Sequence, residues 1–217
     1  MTTNKLIFIA LFQVFSISIF GQLSQPQLDS IVKKYTQNLH QKGIDTICIY
    51  NEYCIGCLFH PATGSNLCVE KFSSLPTYIF WKDKGKTFVT RKDICFEYST
   101  QLITTDLFWK YYFNNKDKIN KEKLKTPQYV EVVNGKKEIR TINIDESIFF
   151  QITFDIGNNF IIKDINSFYF TKELGPNEEL NINYEFNTRT SLNNFHSMLQ
   201  SIIKEESFIN KFVRALR

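Results

Sequence analysis

Cysteines are the most concentrated chemically reactive side chains of this chain. All five lie in the first half of its 217 residues, and two of them, Cys54 and Cys57, form a Cys-x-x-Cys pair. At this spacing two thiols can exchange a disulfide or bind the same metal ion. His60, three residues further on, adds an imidazole that can bind a metal or activate a thiol. Three kinds of chemistry therefore need to be weighed: structural disulfides, thiol–disulfide exchange and zinc binding.

Structural disulfide bonding is the interpretation that we favour. Cys48 alternates with Ile47 and Ile49 in a segment rich in β-branched residues, which predicts that it packs as a small buried hydrophobe in a strand. The other cysteines are the disulfide candidates, an even set with three possible pairings: Cys54, Cys57, Cys68 and Cys95. Bridges that close the longer loops would each contribute about 2–4 kcal/mol to stability.

Thiol–disulfide exchange is the alternative function. The segment Cys54-Ile55-Gly56-Cys57 directly follows a predicted strand, and in this placement it resembles the redox motif of the thioredoxin family. Leu75-Pro76, which precedes another predicted strand, resembles the segment of that family in which a cis-proline stands before a strand. The resemblance implies a thiol–disulfide oxidoreductase with the two cysteines of the motif as its redox pair.

The chain departs from the thioredoxin pattern between these two segments. The thioredoxin fold has two helices and a strand there, whereas this chain has only residues 58–75. Pro61 and Gly64 would also interrupt a helix that began at the motif, and such a helix is what lowers the thiol pKa. The sequence therefore favours a structural role for the thiols over a redox role.

Zinc binding is the third interpretation. Its four ligands would come from one cluster of residues: Cys54, Cys57, His60, Cys68 and Cys95. The chain has neither a second Cys-x-x-Cys pair nor a His-x-x-x-His pair, and an oxidising compartment converts spare thiols to disulfides. We therefore expect no metal and no cofactor.

An apolar run at the N-terminus predicts export. Lys5 precedes a run from Leu6 to Phe20, and Gly21 supplies a small residue for cleavage. The run is short for a hydrocarbon layer of about 30 Å, so we predict a signal peptide over residues 1–21, with an uncleaved anchor as the alternative. Residues 22–217 are then a single exported domain, periplasmic or secreted, without stable membrane insertion. The absence of Asn-x-Ser/Thr acceptors favours a bacterial source.

Composition and motifs exclude several classes of function. With 43% hydrophobic and 22% charged residues the chain is globular, and a net charge of +4 is too small to indicate nucleic-acid binding. The one basic run, Lys110 to Lys125, is predicted to be a solvated helix end, with contact to an anionic surface as the alternative. No complete catalytic motif is present. We therefore expect a non-enzymatic domain whose unidentified partner is a protein or another envelope component.

Hydrophobic periodicity predicts an α+β fold with a single domain built on an antiparallel sheet meander. Helices are predicted near the N-terminus (25–42, ended by Gly43), in the middle (from Thr104 or Thr105 towards Leu124) and as a long amphipathic C-terminal helix (191–214). Asn134-Gly135 predicts a type I′ turn in a hairpin. The predicted strands are 45–53, 77–81, 87–90, 94–98, 129–133, 138–142, 148–155, 160–163, 166–171 and 180–186.

Overall fold

A computed structural model describes residues 24–55, 75–94, 96–144, 146–174, 179–208 and 214–216 of the chain. Its helices are α1 (Ser24–Gln41), α2 (Leu107–Lys121), α3 (Tyr184–Thr188) and α4 (Ser191–Phe208), with one 3₁₀ turn at Ser167–Phe170. Its strands are β1 (Thr46–Ile55), β2 (Thr77–Asp83), β3 (Lys86–Lys92), β4 (Phe96–Tyr98), β5 (Gln101–Ile103), β6 (Gln128–Val133), β7 (Lys136–Thr141), β8 (Ser147–Ile156), β9 (Asn159–Asn166), β10 (Glu173–Leu174), β11 (Glu179–Leu180) and β12 (Arg214–Leu216). The predicted α+β class is confirmed.

One antiparallel sheet organises the chain. Its strand order is β12-β4-β3-β2-β1-β8-β9, and β5 pairs with β3 on the same edge as β4, away from β2. Strands β6 with β7 and β10 with β11 form two separate two-stranded sheets. The β6–β7 turn has positive φ angles at Asn134 (52°) and Gly135 (77°), as a type I′ turn requires. The predicted hairpin is therefore present with the predicted turn.

Strand β1 lies inside the sheet and contributes side chains to both faces. Cys48 and Tyr50 belong to the larger apolar cluster, together with Phe108 of α2 and Phe195 of α4. Ile47 belongs to a smaller cluster on the opposite face, which also contains the α1 residue Leu39. The alternation of a strand thus places α2 and α4 on one face of the sheet and α1 on the other.

Helix α1 ends where the sequence predicts. Gly43 has a φ of 77°, and its N–H donates to the carbonyl oxygen of His40 at 2.8 Å. The N–H of Ile44 donates to the carbonyl oxygen of Leu39 at 3.1 Å. Glycine adopts this left-handed conformation without a Cβ clash, so it can end the helix and direct the chain into β1.

Glu122 joins the end of α2 to the beginning of α4. Its two carboxylate oxygens accept hydrogen bonds from the backbone N–H groups of Ser191 (3.1 Å) and Leu192 (2.8 Å). These N–H groups have no partners within α4, and a negative charge is stabilised at a helix N-terminus. A side chain 69 residues earlier in the chain therefore holds the start of α4.

The C-terminal prediction needs a correction. Helix α4 ends at Phe208 and does not continue to residue 214. Arg214–Leu216 forms β12, which pairs antiparallel with β4 through Ala215 and Glu97. A short apolar segment fits either a helix face or a strand, and here the segment forms a strand because the edge of β4 is available to pair with it.

Two predicted strands were also wrong. The segment 166–171 is mostly a 3₁₀ turn, and 180–186 contains only the end of β11 before α3 begins. Asn166 accepts a hydrogen bond from the N–H of Phe168 (2.9 Å), and Asn181 accepts one from the N–H of Asn183 (3.0 Å). Asparagine side chains that bind nearby backbone groups in this way compete with extended structure.

Candidate functional site

Cys48 is a free, fully buried thiol in the middle of β1. Burial raises its pKa far above the usual range of a thiol, because the thiolate would have no solvation there. It lies in the same apolar cluster as Tyr112 and Phe154. The prediction that Cys48 packs as a small hydrophobe is confirmed.

Cys54 lies near the end of the same strand, opposite Ile148 of β8, and is half-buried. Cys48 cannot form a disulfide with it, because six residues of strand separate the two by about 20 Å, far beyond the reach of such a bond.

The remaining predicted site residues, Cys57, His60, Cys68 and Cys95, lie outside the described residues. The redox pair and the zinc ligand set therefore stay predictions. Within the part of the chain that is described, no three His, Cys, Asp or Glu side chains gather as a metal site would require.

A buried polar cluster that sequence reasoning missed lies between β1 and α4. The hydroxyl oxygen of Tyr50 is 3.0 Å from Oε1 of Glu52 and 3.2 Å from Nε2 of His196. The rings of Tyr50 and His196 stack with centroids 5.8 Å apart, and Phe150 of β8 lies 4.4 Å from the imidazole. Tyr50 and His196 are 1% and 4% exposed, so both are enclosed by the core, whereas Glu52 is half-buried.

Burial sets the protonation state of this cluster. It lowers the pKa of His196 from 6.5 to about 4, and burial with the neighbouring Glu52 raises the pKa of Tyr50 well above its ordinary value. At neutral pH the imidazole is therefore uncharged and the phenol keeps its proton. That proton is donated to Glu52, so the phenol oxygen accepts the N–H of His196 Nε2.

The arrangement ties β1 to α4 and offers little to a substrate. An imidazole with a pKa of about 4 is a poor base at neutral pH, and the phenol hydrogen is already engaged. The sequence did contain a signal for this contact. His196 lies four residues after Leu192 and three before Leu199, on the apolar stripe of α4, and Tyr50 alternates with Ile49 in β1.

Polar contacts also lie on the part of the sheet face beyond α1. Asp164 of β9 accepts hydrogen bonds from the hydroxyl of Tyr53 (3.2 Å) and from Nε2 of Gln151 (2.9 Å). Partial burial, with the nearby Asp164 charge, raises the pKa of Tyr53 to about 12. His40 at the end of α1 is 2.8 Å from the carboxylate of Asp155 in β8. In each of these contacts a carboxylate is held by a neighbouring polar side chain.

Large apolar side chains stand exposed next to these polar contacts. Phe160 and Ile162 of β9 are 64% and 49% exposed, and the register places them on the same face as Asp155 and Thr153. Helix α1 covers β1 to β3 on this face through the smaller apolar cluster. The face over β8 and β9 is therefore accessible and partly apolar, a combination found at interaction surfaces.

Comparisons of the chain with protein-family models, with curated proteins and with solved structures gave no match. None of the helices in the described segments is long and apolar enough to cross a membrane. The fold defines the class as an α+β protein in which an antiparallel sheet has helices on both faces.

Proposed function

We propose that this protein is an exported, periplasmic or secreted domain that binds a partner without catalysis and is stabilised by disulfides. The observation that carries the proposal is the contrast between its buried and exposed groups. The Tyr50, Glu52 and His196 side chains are committed to holding β1 against α4, whereas Phe160 and Ile162 stand in solvent. The first set lacks the exposed base or nucleophile that catalysis needs, and the second is typical of an interaction surface.

The positions of Cys48 and Cys54 support the disulfide part of the proposal. Cys48 is free and enclosed by apolar side chains, whereas Cys54, near the end of the same strand, is only half-buried. The apolar run from Leu6 to Phe20 supports export. Export in turn supports the disulfides, because disulfides persist in the periplasm and in the extracellular space.

The test expresses the full chain in a bacterium and follows its processing. We expect the protein outside the cytoplasm, with a mature N-terminus after Gly21. Thiol titration of the unfolded, unreduced protein should find one or three free thiols, and reduction should lower the free energy of unfolding by about 2–5 kcal/mol for each bridge lost. Retention in the cytoplasm with residues 1–21 intact would contradict export, and four or five free thiols in exported protein would contradict the disulfides.

Thiol–disulfide exchange stays the second candidate because β1 delivers Cys54 at its end, where a strand presents a redox motif to solvent. It predicts that Cys54→Ser abolishes the reduction of insulin or glutathione disulfide while the protein remains folded. Cys48→Ala is the matched control, since it alters a free thiol buried in the same strand and should leave that activity in place. Absence of activity in the unaltered protein removes this candidate.

A further inference from the structure

The hairpin of β6 and β7 stands apart from the main sheet and exposes one apolar side. Every residue of β7 is exposed. Val130 and Ile139 are opposite each other in the register, and they are 38% and 64% exposed; Val132 on the same side is 64% exposed. A two-stranded sheet is marginally stable by itself, and exposed apolar residues on it favour a further strand.

The hydrogen bonds at the base of the hairpin show which backbone groups point outward. The N–H of Ile142 donates to the carbonyl oxygen of Pro127 at 3.2 Å, and these residues are opposite each other one step beyond the Gln128–Thr141 pair. In an antiparallel ladder, hydrogen-bonded and non-hydrogen-bonded pairs alternate. The backbone groups of positions 136, 138 and 140 therefore point towards β6, and those of positions 137, 139 and 141 point away from it.

The outer side of β6 is already in use at its base. The carbonyl oxygen of Gln128 accepts the N–H of Ile182 at 2.8 Å, and its N–H donates to Oδ1 of Asn181 at 3.3 Å. In the sheets formed by the described residues, β7 pairs with β6 alone. The open edge of the hairpin is thus the outer edge of β7.

We propose that a second copy of this chain pairs with this edge, antiparallel and about a two-fold axis at Ile139. Each copy then contributes the backbone N–H and C=O of positions 137, 139 and 141. The pairs are Ile139 with Ile139 of the second copy, and Lys137 with Thr141 of the second copy in both directions. All of them have backbone groups that point outward, so the two hairpins form one four-stranded sheet.

The side chains select this register by shape and by charge. The axis at Ile139 aligns an apolar row across the four strands, from Val130 and Ile139 of one copy to Ile139 and Val130 of the other. On the opposite side it sets Glu138 of each copy against Arg140 of the other, which makes two attractive pairs. Moving the axis by one residue places Glu138 opposite Glu138 of the second copy, or Arg140 opposite Arg140 of the second copy, and both pairs are repulsive.

Self-association goes beyond the proposed function, because it requires neither export nor disulfides. One row of side chains and one set of strand hydrogen bonds make a small interface. Interfaces of this kind are weak, and we expect a dissociation constant of about 1–100 μM.

The experiment uses sedimentation velocity on the purified full-length or processed protein, with a pair of complementary charge variants. Glu138→Arg alone places arginine opposite arginine at both contacts, and Arg140→Glu alone places glutamate opposite glutamate at both. Each variant should therefore weaken dimerisation at least about tenfold. An equimolar mixture of the two variants restores opposite charges at both contacts. We expect it to form dimers with one copy of each variant, at close to the unaltered affinity.

The mixture separates the proposal from damage within the hairpin. Arg140 also binds Glu131 (2.8 Å) and Glu138 (2.9 Å) of its own chain, and loss of these bonds would be the same in the mixture. Arg189→Glu is the control, because Arg189 is an exposed arginine whose partner, Glu185, belongs to α3 and not to the hairpin. Ile139→Lys should abolish the dimer, since it places two lysines at the axis.

Three results would overturn the proposal. The first is that the unaltered protein stays monomeric at about 1 mM. The second is that the mixture of the two charge variants associates no better than either variant alone. The third is that Ile139→Lys still forms the dimer. Each leaves the export and thiol results untouched, so this proposal and the proposed function fail separately.

Discussion

Replacing Phe195 by alanine is expected to lower the free energy of unfolding by about 3–5 kcal/mol. Phe195 is fully buried on α4. Its ring centroid lies 5.2 Å from that of Phe154, 5.8 Å from that of Tyr112 and 6.1 Å from that of Phe108. The substitution removes the ring that joins two helices to the sheet, and side chains this large and interlocked relax only partly into the space left behind.

Urea denaturation followed by circular dichroism measures this effect. Phe160→Ala is the matched control, because it removes the same ring from a position that is 64% exposed, where the cost should be below about 1 kcal/mol. Equal losses in the two variants would contradict the assignment of Phe195 to the centre of the core.

Acidification is expected to destabilise the protein through His196 by about 3 kcal/mol. Burial lowers the pKa of this imidazole from 6.5 to about 4 in the folded chain. Between these two values the unfolded chain binds a proton that the folded chain does not, so stability falls as the pH falls from about 6.5 to about 4. Above pH 6.5 the imidazole is neutral in both states, and its contribution no longer changes.

The difference between the unaltered protein and His196→Phe isolates this contribution, because carboxyl groups that titrate in the same range are common to both. Phenylalanine keeps the ring contacts with Tyr50 and Phe150 and leaves the bond from Tyr50 to Glu52. The variant should therefore lose less stability than the unaltered protein on passing from pH 7 to pH 4. If His196→Phe lost as much stability as the unaltered protein between pH 7 and pH 4, the imidazole would not be desolvated in the folded chain.

Local patterns predicted those elements whose partners lie nearby in the chain. Helix α1 and its Gly43 end follow from apolar spacing and from the conformational freedom of glycine. The β6–β7 hairpin follows from Asn134-Gly135, because both residues tolerate the positive φ of a type I′ turn. In these cases the deciding interactions span a few residues.

Elements whose partners are distant were the ones that sequence patterns missed. Whether the segment 214–216 continues a helix or forms a strand depends on the edge of β4, more than a hundred residues earlier. The start of α4 depends on Glu122, and the pairing of β1 with β8 depends on side chains that meet only after folding. Apolar periodicity identifies a buried face without specifying what covers it.

The sequence alone determined the α+β class, the burial of Cys48 and the turn that shapes the β6–β7 hairpin, since each follows from spacing and from the conformational limits of single residues. Tertiary structure alone decided that His196 meets Tyr50 and that, among the described segments, no strand pairs with the outer edge of β7. His196 and Tyr50 lie 146 residues apart, and solvent is excluded from them only when α4 packs on the sheet. Their desolvation, and with it the low pKa of the imidazole, is a property of the packed chain.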